Sequence, residues 1–481
     1  MIRSALLIVS GNATTSLLLF ARNLIIAHLI SVPDYGIAAT FAIAMAVVEM
    51  MSALGLQQQI VQSKDGDDPR FQAALQGFQV LRGVILSGVL FLLAGPIAAF
   101  MLVPDVAWAY QVMALVPVLN ALTHFDTFRM NRHMEFWRMT LTGVVPALAS
   151  VLVIWPLSHW FGDYRVMLYA IIVQAALSAV VSHLVAQRRY WLVLDRRLMA
   201  QSLAFGWPLL VNGILLFAAF NGDKVIVGRE LGMETLAIFA MGFTLTLTPT
   251  LVMAKSVQNF FLPLLSAAAR DGAPPGRFDQ LAAATLQIAI LNGSLMVLVI
   301  FLIGDPVVHG LLGVKYAALL PLLELLAVQQ SLRVFKTGGA VVALARGKSG
   351  NAMIANLFRL LTLPVAWVVL LQGGTLITTI WIAIAGEIMG YVASLLLVHF
   401  RLGIALRPIA LPLLAAAALL GVSVSGPSAQ ALIGPSWHLW LSLIMLGLFV
   451  LELGSMAALR RFVSRRRAEP PAGPPAGPPQ E

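Results

Sequence analysis

Six lysine or arginine residues fall inside stretches of sequence that are otherwise apolar and about long enough to cross a bilayer. A cation at the centre of a membrane helix costs about 2.5–3.5 kcal/mol on insertion scales, so such a residue usually has a partner or a function. The excess of cations over acids in these stretches predicts that the helices surround something polar and negatively charged. The cations are Arg22, Arg82, Lys255, Arg333, Lys336 and Arg359, and the four acids are Glu49, Glu324, Glu387 and Glu452.

The apolar stretch from 318 to 345 carries two of these cations on one polar face. Arg333 and Lys336 are a single helical turn apart and repel each other, so they need a carboxylate or an anionic guest. Glu387, in the middle of a later stretch, could be that carboxylate. Glu387 could form a structural ion pair with Arg333 and Lys336, and these cations could also contact an anionic ligand. The face, within about 60° of Arg333 at 100° per residue, consists of Gln329, Gln330, Arg333, Lys336 and Thr337.

Arg22 belongs to a similar stripe in the first apolar stretch. Ser4, Gly11, Thr15 and Arg22 fall within about 20° of one line on a helix. Arg22 is about 12 Å from the outer end of that helix, which is far for a side chain to reach the headgroups. The stripe therefore predicts a helix that faces an aqueous cavity.

Each of the remaining cations has a structural role as the alternative to a role in substrate binding. Glu49 and Arg82 lie at similar depth in neighbouring stretches, and we interpret them as a structural ion pair. If transport is coupled to an ion, Glu49 and Glu387 are the candidates for that coupling. Lys255 and Arg359 each lie about two turns from the predicted cytoplasmic end, where snorkelling to the headgroups competes with a role in the cavity. Both are included among the candidate substrate-binding cations.

The composition excludes several classes of protein. Of 481 residues, 59% are hydrophobic and 11% are charged, with no cysteine, whereas a soluble domain has about 25% charged residues. The net charge of +10 lies in short loops, as a topology signal does, so a nucleic-acid partner is not expected. The histidines show no metal spacing, and Gly347-Lys348-Ser349 has Val342 where a phosphate-binding loop requires glycine. We expect no cofactor, no metal and no catalytic residue.

Fourteen helices are predicted, in an all-α integral membrane fold. With a cytoplasmic N-terminus, 21 lysines and arginines fall in inside segments and 4 in outside loops, which supports a multi-pass membrane protein with both termini in the cytoplasm. The helices span roughly 5–30, 37–56, 77–100, 107–122, 139–161, 166–186, 202–221, 235–262, 281–303, 318–345, 352–372, 375–399, 409–425 and 437–459.

A faint internal repeat divides the chain. Residues 23–45 and 223–245 show the same order of polar, aliphatic, acidic and small residues at an offset of 200, which is typical of transporters built from parallel repeats. This predicts six-helix lobes at 1–200 and 201–400, two additional helices at 401–459, and a cytoplasmic tail at 460–481 that is basic, then Pro-rich and disordered.

The N-terminal region resembles a known family. Ala21-Arg22-Asn23-Leu24, Asp34-Tyr35-Gly36, Gly55-Leu56-Gln57 and Val61-Gln62 are similar to the opening of the oligosaccharide flippase and polysaccharide transporter family. Its superfamily also holds multidrug extruders and the peptidoglycan lipid-precursor flippase. The resemblance implies two lobes around a central cavity that alternates between inward and outward access, and a polyprenyl-pyrophosphate-linked glycan as substrate. It also implies membrane lipids and pathway polymerases or glycosyltransferases as partners, and it maps cavity cations onto Arg22, Lys255 and Arg333.

Two other functions fit the sequence less well. A multidrug antiporter of the same superfamily would present carboxylates to organic cations, whereas the first helix offers Arg22 and no carboxylate. A membrane-embedded polymerase or glycosyltransferase would carry a long outer loop for its chemistry, and the predicted outer loops are short. A flippase is therefore favoured over an enzyme.

The predicted topology can be tested with reporter fusions. Fusions after Arg197 and after Arg401 should report a cytoplasmic location, and a fusion after Gly310 a periplasmic one, because the positive charges sort that way. A periplasmic signal at Arg197 would overturn the helix count.

Overall fold

The computed structural model describes residues 2–52, 54–270 and 274–468, and every regular element in that part of the chain is helical. Three short 3₁₀ turns lie at Pro104–Val106, Val314–Leu319 and Gly434–Ser436. The α-helices are α1 (Ile2–Leu29), α2 (Val32–Ser52), α3 (Leu56–Gln62), α4 (Pro69–Phe100), α5 (Ala107–Met113), α6 (Leu115–Ala121), α7 (Asp126–Arg132), α8 (Trp137–Leu152), α9 (Ile154–Trp160), α10 (Arg165–Val185), α11 (Arg196–Ala268), α12 (Arg277–Leu311), α13 (Leu320–Ala345), α14 (Gly350–Leu371), α15 (Leu376–Leu402), α16 (Arg407–Ser423), α17 (Gly426–Ile433), α18 (Trp437–Ser455) and α19 (Ala457–Ala468).

The all-α membrane fold predicted from the sequence is confirmed. Among the described residues, nine helices are long and apolar enough to cross a membrane, or ten if one bent pair forms a single span. Helices satisfy their backbone hydrogen bonds within each segment, which hydrocarbon requires. Every one of the fourteen predicted stretches coincides largely with helical segments. The number of fourteen crossings itself stays a prediction.

Some helix boundaries differ from the predicted ones, and prolines explain two of them. The stretch 107–122 is interrupted at Ala114, between α5 and α6, and 139–161 is interrupted at Val153, between α8 and α9. Each interruption lies three residues before a proline, Pro117 or Pro156. The proline ring removes one backbone donor and crowds the carbonyl four residues earlier, so the helix breaks there.

A glycine accounts for another difference. The predicted helices 202–221 and 235–262 are joined in α11, whose one position with non-helical dihedral angles is Gly232, at φ 84°. Glycine adopts this conformation without steric cost. The backbone can therefore change direction there with almost no intervening loop.

The first long loop is shorter than expected. We predicted an inside loop at about 57–76, but α3 occupies part of it and α4 begins at Pro69. Asp68 caps α4 by accepting hydrogen bonds from the backbone nitrogens of Arg70 and Phe71. An aspartate cap followed by proline at the first helical position is a recognisable start signal.

The C-terminal tail is helical at its start. The basic residues from Arg460 to Arg467 belong to α19, which the sequence did not predict. The Pro-rich remainder, 469–481, lies outside the described residues.

The chain forms two compact units, which we call unit 1 and unit 2. Unit 1 contains residues 1–244, 307–319 and 366–376, and unit 2 contains 245–306, 320–365 and 377–481. A core of unit 1 includes Phe41 and Tyr110, whose rings meet edge to face at 5.3 Å between centroids. In unit 2, Phe335 and Tyr391 lie 5.5 Å apart. The predicted lobe limits near 200 and 400 stay predictions.

A network of charges holds the loop at 63–68 against α7 in unit 1. Asp67 contacts Arg132 Nε at 3.1 Å and His133 Nε2 at 2.7 Å, with Arg129 at 4.0 Å. Arg188 Nη2 donates to the backbone oxygen of Asp67 at 2.8 Å. The hydrogen bond from His133 and the nearby arginines hold the pKa of the Asp67 carboxyl below its ordinary value of 3.8.

Asp67→Asn should loosen this loop, since it removes a charge that three basic side chains share. The Asp67 side chain is 46% exposed, so the effect is modest, and trypsin cleavage at Lys64 and Arg70 should accelerate about two- to five-fold. Asp65→Asn is the control, because Asp65 is exposed two positions away. Equal cleavage rates in both variants would contradict the assignment.

The same contact gives a pH dependence of known sign. Because the pKa of Asp67 is lower in the folded protein, its contribution is present above the ordinary aspartate range near 4 and is lost as pH falls through the folded value. Amide exchange in residues 63–68 should therefore differ between wild type and Asp67→Asn at neutral pH. The difference should shrink as the pH falls below the ordinary aspartate range and through the lowered folded-state pKa.

Candidate functional site

Three cations surround one carboxylate in unit 2, and we call Arg333, Lys336, Arg359 and Glu387 the cationic cluster. Glu387 Oε1 lies 2.6 Å from Arg333 Nε and 3.5 Å from Arg359 Nε. Its other oxygen, Oε2, lies 2.5 Å from Lys336 Nζ. The side chains of Arg333 and Lys336 are 10% exposed, whereas those of Arg359 and Glu387 are 2% and 1% exposed. The cluster is therefore almost wholly buried.

Glycines bring the three helices of the cluster together. A Cβ atom on Gly390 of α15 would lie 2.5 Å from the backbone oxygen of Ala355 on α14, and one on Gly386 would lie 2.7 Å from Thr362 Cγ2. Residues larger than glycine would thus separate α15 from α14. Small residues let membrane helices approach closely, which here places Glu387 within reach of side chains on α13 and α14.

Neutral polar groups support each cation of the cluster. Asn356 Oδ1 accepts from Lys336 Nζ at 3.1 Å, and Thr362 Oγ1 accepts from Arg359 Nη1 at 2.7 Å. Gln330 Oε1 accepts from Arg333 Nη1 at 3.4 Å. Asn356 and Thr362 were not predicted from the sequence, although with Arg359 they recur every three residues along one side of α14.

The four side chains carry a formal charge of +2, because one carboxylate faces three cations. Charges interact strongly in a low-dielectric interior and are costly there without a counter-charge. The net positive charge of these four side chains favours an anion over a cation as a ligand. Guanidinium groups bind phosphate and carboxylate through paired hydrogen bonds. The arrangement can therefore hold an anionic group.

Arg22 lies in unit 1, on α1, and is 9% exposed. Its Nη1 donates to Gln174 Oε1 on α10 at 2.5 Å. Its Nε has no hydrogen-bond partner among the described residues. Gln174 was not singled out in the sequence, since a lone glutamine in an apolar helix gives little signal.

Part of the α1 stripe predicted to face water packs against α8 instead. A Cβ atom on Gly11 would lie 2.5 Å from Thr140 Cγ2, and one on Gly143 would lie 3.2 Å from Thr15 Oγ1. Small residues at helical spacing are found in close helix packing as well as in cavity walls. The pattern alone therefore does not distinguish a helix face in a cavity from one packed on a neighbouring helix. The side chain of Ser4 lies outside the described residues.

The other predicted site residues lie on other helices than the cluster. Lys255 is exposed on α11. Arg82 is half-buried on α4, and its Nε and Nη1 have no hydrogen-bond partner among residues the structure describes. The side chain of Glu49 lies outside that set, so its pairing with Arg82 stays a prediction.

Removing the carboxylate of the cluster should destabilise unit 2. Glu387→Gln removes the carboxylate that contacts three buried cations, and breaking a buried pair in this way costs about 3–5 kcal/mol. The yield of folded, detergent-soluble protein should fall, and adding Arg359→Met should recover part of it. Glu324→Gln, a change on α13 nine residues before Arg333, is the control. A yield unaffected by Glu387→Gln would show that Glu387 is not the counter-charge.

Comparison with known proteins places the chain in a family. The family described as polysaccharide biosynthesis protein matches residues 25–321, more than half of the chain. The teichuronic acid biosynthesis protein TuaB of Bacillus subtilis (strain 168) is 21% identical over 349 residues, which cover 68% of this chain and 68% of TuaB. The succinoglycan biosynthesis transport protein ExoT of Rhizobium meliloti (strain 1021) is 21% identical over 313 residues, covering 64% and 62% of the two chains.

The fold is also found among solved structures. The lipid II flippase MurJ, in an inward closed conformation, aligns with a TM-score of 0.70 over 97% of this chain and 100% of MurJ, at 14% identity. At that identity the likeness concerns the fold alone. The chain is therefore a multi-pass membrane protein that belongs to the polysaccharide biosynthesis protein family and has a MurJ-like fold.

Proposed function

We propose that this protein is a flippase that carries a polyprenyl-pyrophosphate-linked oligosaccharide or polysaccharide unit from the cytoplasmic to the outer leaflet of the bacterial inner membrane. Its family, the transport role in the name of ExoT and the MurJ-like fold support this proposal. Both termini are in the cytoplasm in this proposal, as the distribution of loop charges favours.

The observation that carries the proposal is the cationic cluster. A pyrophosphate cannot cross hydrocarbon unaided, because removing its charges from water costs far more than thermal energy supplies. A buried site with a formal charge of +2 compensates that cost. Arginine suits a phosphate particularly well, because its planar group offers paired donors. Arg333 and Lys336, the more exposed cations of the cluster, are the residues proposed to contact the pyrophosphate.

Glu387 has a second role in this proposal. Without substrate, it neutralises part of the cluster and keeps the cations buried at a tolerable energy. A phosphate that arrives competes with Glu387 for Arg333, so binding and release become an exchange between two anions. Such an exchange avoids leaving either the substrate or the cluster uncompensated.

The proposed transport step breaks no covalent bond. The polyprenyl tail remains in the bilayer, and the headgroup alone needs a polar environment. The side chains of the protein bind and release the headgroup. Arg22, Lys255 and Arg359 stay candidate contacts of the headgroup, and pathway polymerases and glycosyltransferases stay proposed partners.

An antiporter of organic cations is the weaker candidate. Its site should present an excess of carboxylate, and the cationic cluster has one carboxylate against three cations. An organic cation would add like charge to a site that is already positive.

Arg333→Ala should abolish or strongly reduce glycan export while the protein inserts at normal levels. Charge-assisted hydrogen bonds contribute about 1.5–3 kcal/mol each, so the loss should be about ten- to one-hundred-fold. Arg333→Lys should restore export only in part, because a point charge lacks the paired donors. The measurement is the amount of exported glycan relative to membrane-inserted protein.

Lys348→Ala is the matched control, since Lys348 is an exposed cation just beyond the same helix. It should export normally. Normal export by a double Arg333→Ala, Lys336→Ala variant would remove the cluster from the transport mechanism.

A further inference from the structure

Unit 1 contains a cavity of about 590 Å³ that the sequence did not predict, and we call it the α4 cavity. Its volume is within the range of small-molecule sites, about 300–1,000 Å³. Seven helices contribute to its wall: α2, α3, α4, α6, α7, α10 and α11. The polar residues of the wall are Gln57, Gln58, Gln79, Arg82, Asn120, Thr123 and Ser178.

Among the wall residues that the structure describes, Arg82 is the one charged side chain. Its Nε and Nη1 are inaccessible to water and lack a hydrogen-bond partner among the described residues. These two nitrogens have lost their hydration without gaining a described partner, which is costly for a charged group. An anion in the cavity would supply the missing partner.

Close contacts fix the stretch of α4 that carries Arg82. A Cβ atom on Gly83 would lie 2.3 Å from Ala121 Cβ, so α4 and α6 pack tightly next to the arginine. Gln79, one turn before Arg82, donates from Nε2 to the backbone oxygen of Ala121 at 3.1 Å. The arginine is thus carried by a rigid part of the fold, which favours a preorganised site.

The rest of the polar wall suits a sugar. Gln57, Gln58 and Asn120 are exposed amides, and Thr123 and Ser178 add hydroxyl groups. Amides and hydroxyls both donate and accept hydrogen bonds, as sugar hydroxyls do. One cation among several neutral polar groups matches a headgroup that joins phosphate to sugar.

We propose that the α4 cavity is a second binding site for the pyrophosphate-linked glycan headgroup, separate from the cationic cluster, with Arg82 on the phosphate and the amides on the sugar. This inference rests on the proposed function. The same phosphate chemistry occurs in inorganic pyrophosphate and in anionic phospholipids, and the experiment separates these sources.

The test uses the full chain, which has no cysteine of its own. Thr123→Cys places one thiol in the cavity wall, and its modification is followed with a negative and a positive methanethiosulfonate reagent in nanodiscs of neutral lipid. An uncompensated Arg82 attracts the negative reagent. Arg82→Gln should therefore lower the ratio of the modification rate with the negative reagent to that with the positive reagent by about five-fold or more. Arg70→Gln, an exposed arginine on the same helix, should leave the ratio unchanged.

Protection of the thiol by added ligands identifies the class of ligand that the cavity binds. Inorganic pyrophosphate and a polyprenyl pyrophosphate should each slow modification by the negative reagent several-fold in wild-type background, and neither should do so with Arg82→Gln. Phosphatidylglycerol at the same mole fraction as the polyprenyl pyrophosphate should protect less. Equal protection by phosphatidylglycerol would overturn the substrate assignment in favour of a site for membrane phospholipid.

The alternative to an anion-binding Arg82 is a structural ion pair between Arg82 and Glu49. If Glu49 neutralises Arg82, then Glu49→Gln alone should raise the reagent ratio and Arg82→Met should lower the thermal stability of the protein. Our proposal expects no change in the ratio with Glu49→Gln and an unchanged or higher melting temperature with Arg82→Met. The ion-pair outcome, together with no protection by pyrophosphate, overturns the site.

These measurements are made on purified protein without transport. They can fail while the export defect of Arg333→Ala stands, and the export test can fail while the α4 cavity still binds pyrophosphate. The two proposals are therefore tested separately.

Discussion

The energy of charge in hydrocarbon is the constraint on which this structure depends. Backbone polarity is satisfied within each helix, which leaves the ionised side chains as the groups that need partners from elsewhere. In unit 2 a single carboxylate, Glu387, compensates Arg333, Lys336 and Arg359. In unit 1 Arg22 has a neutral amide as its partner. The two units thus meet the same constraint in different ways, unit 2 with a carboxylate and unit 1 with an amide.

Close packing through glycine is what makes these solutions possible. Gly386 and Gly390 let α15 approach α14 until Glu387 meets the cations. Gly83 does the same for α4 and α6 beside Arg82. Without a hydrophobic force between helices in lipid, such contacts and the polar groups that they bring together stabilise the bundle. A substitution at one of these glycines should therefore affect the charge network as much as the packing.

The family match and the two sites cover different parts of the chain. Residues 25–321 match the polysaccharide biosynthesis protein family, and this range contains Arg82 and the wall of the α4 cavity. The cationic cluster lies wholly beyond it, between Arg333 and Glu387. The chain therefore carries this cluster outside the region by which the family is recognised, and the geometry of α13, α14 and α15 adds Arg359 to the residues that the sequence singled out.

The sequence alone determined the all-α membrane fold and the places of its helices, because long apolar stretches and the sorting of positive charges are local signals. It also singled out Arg333, Lys336 and Glu387, since charges are rare in such stretches. Only the tertiary structure decided that Arg359 joins them, that Gly11 and Thr15 of the α1 stripe pack on α8, and that glutamines of α3 and α4 line a cavity with Arg82. Those outcomes depend on which helix faces come together, and the same polar or small residue at helical spacing fits a cavity and a packed interface equally well.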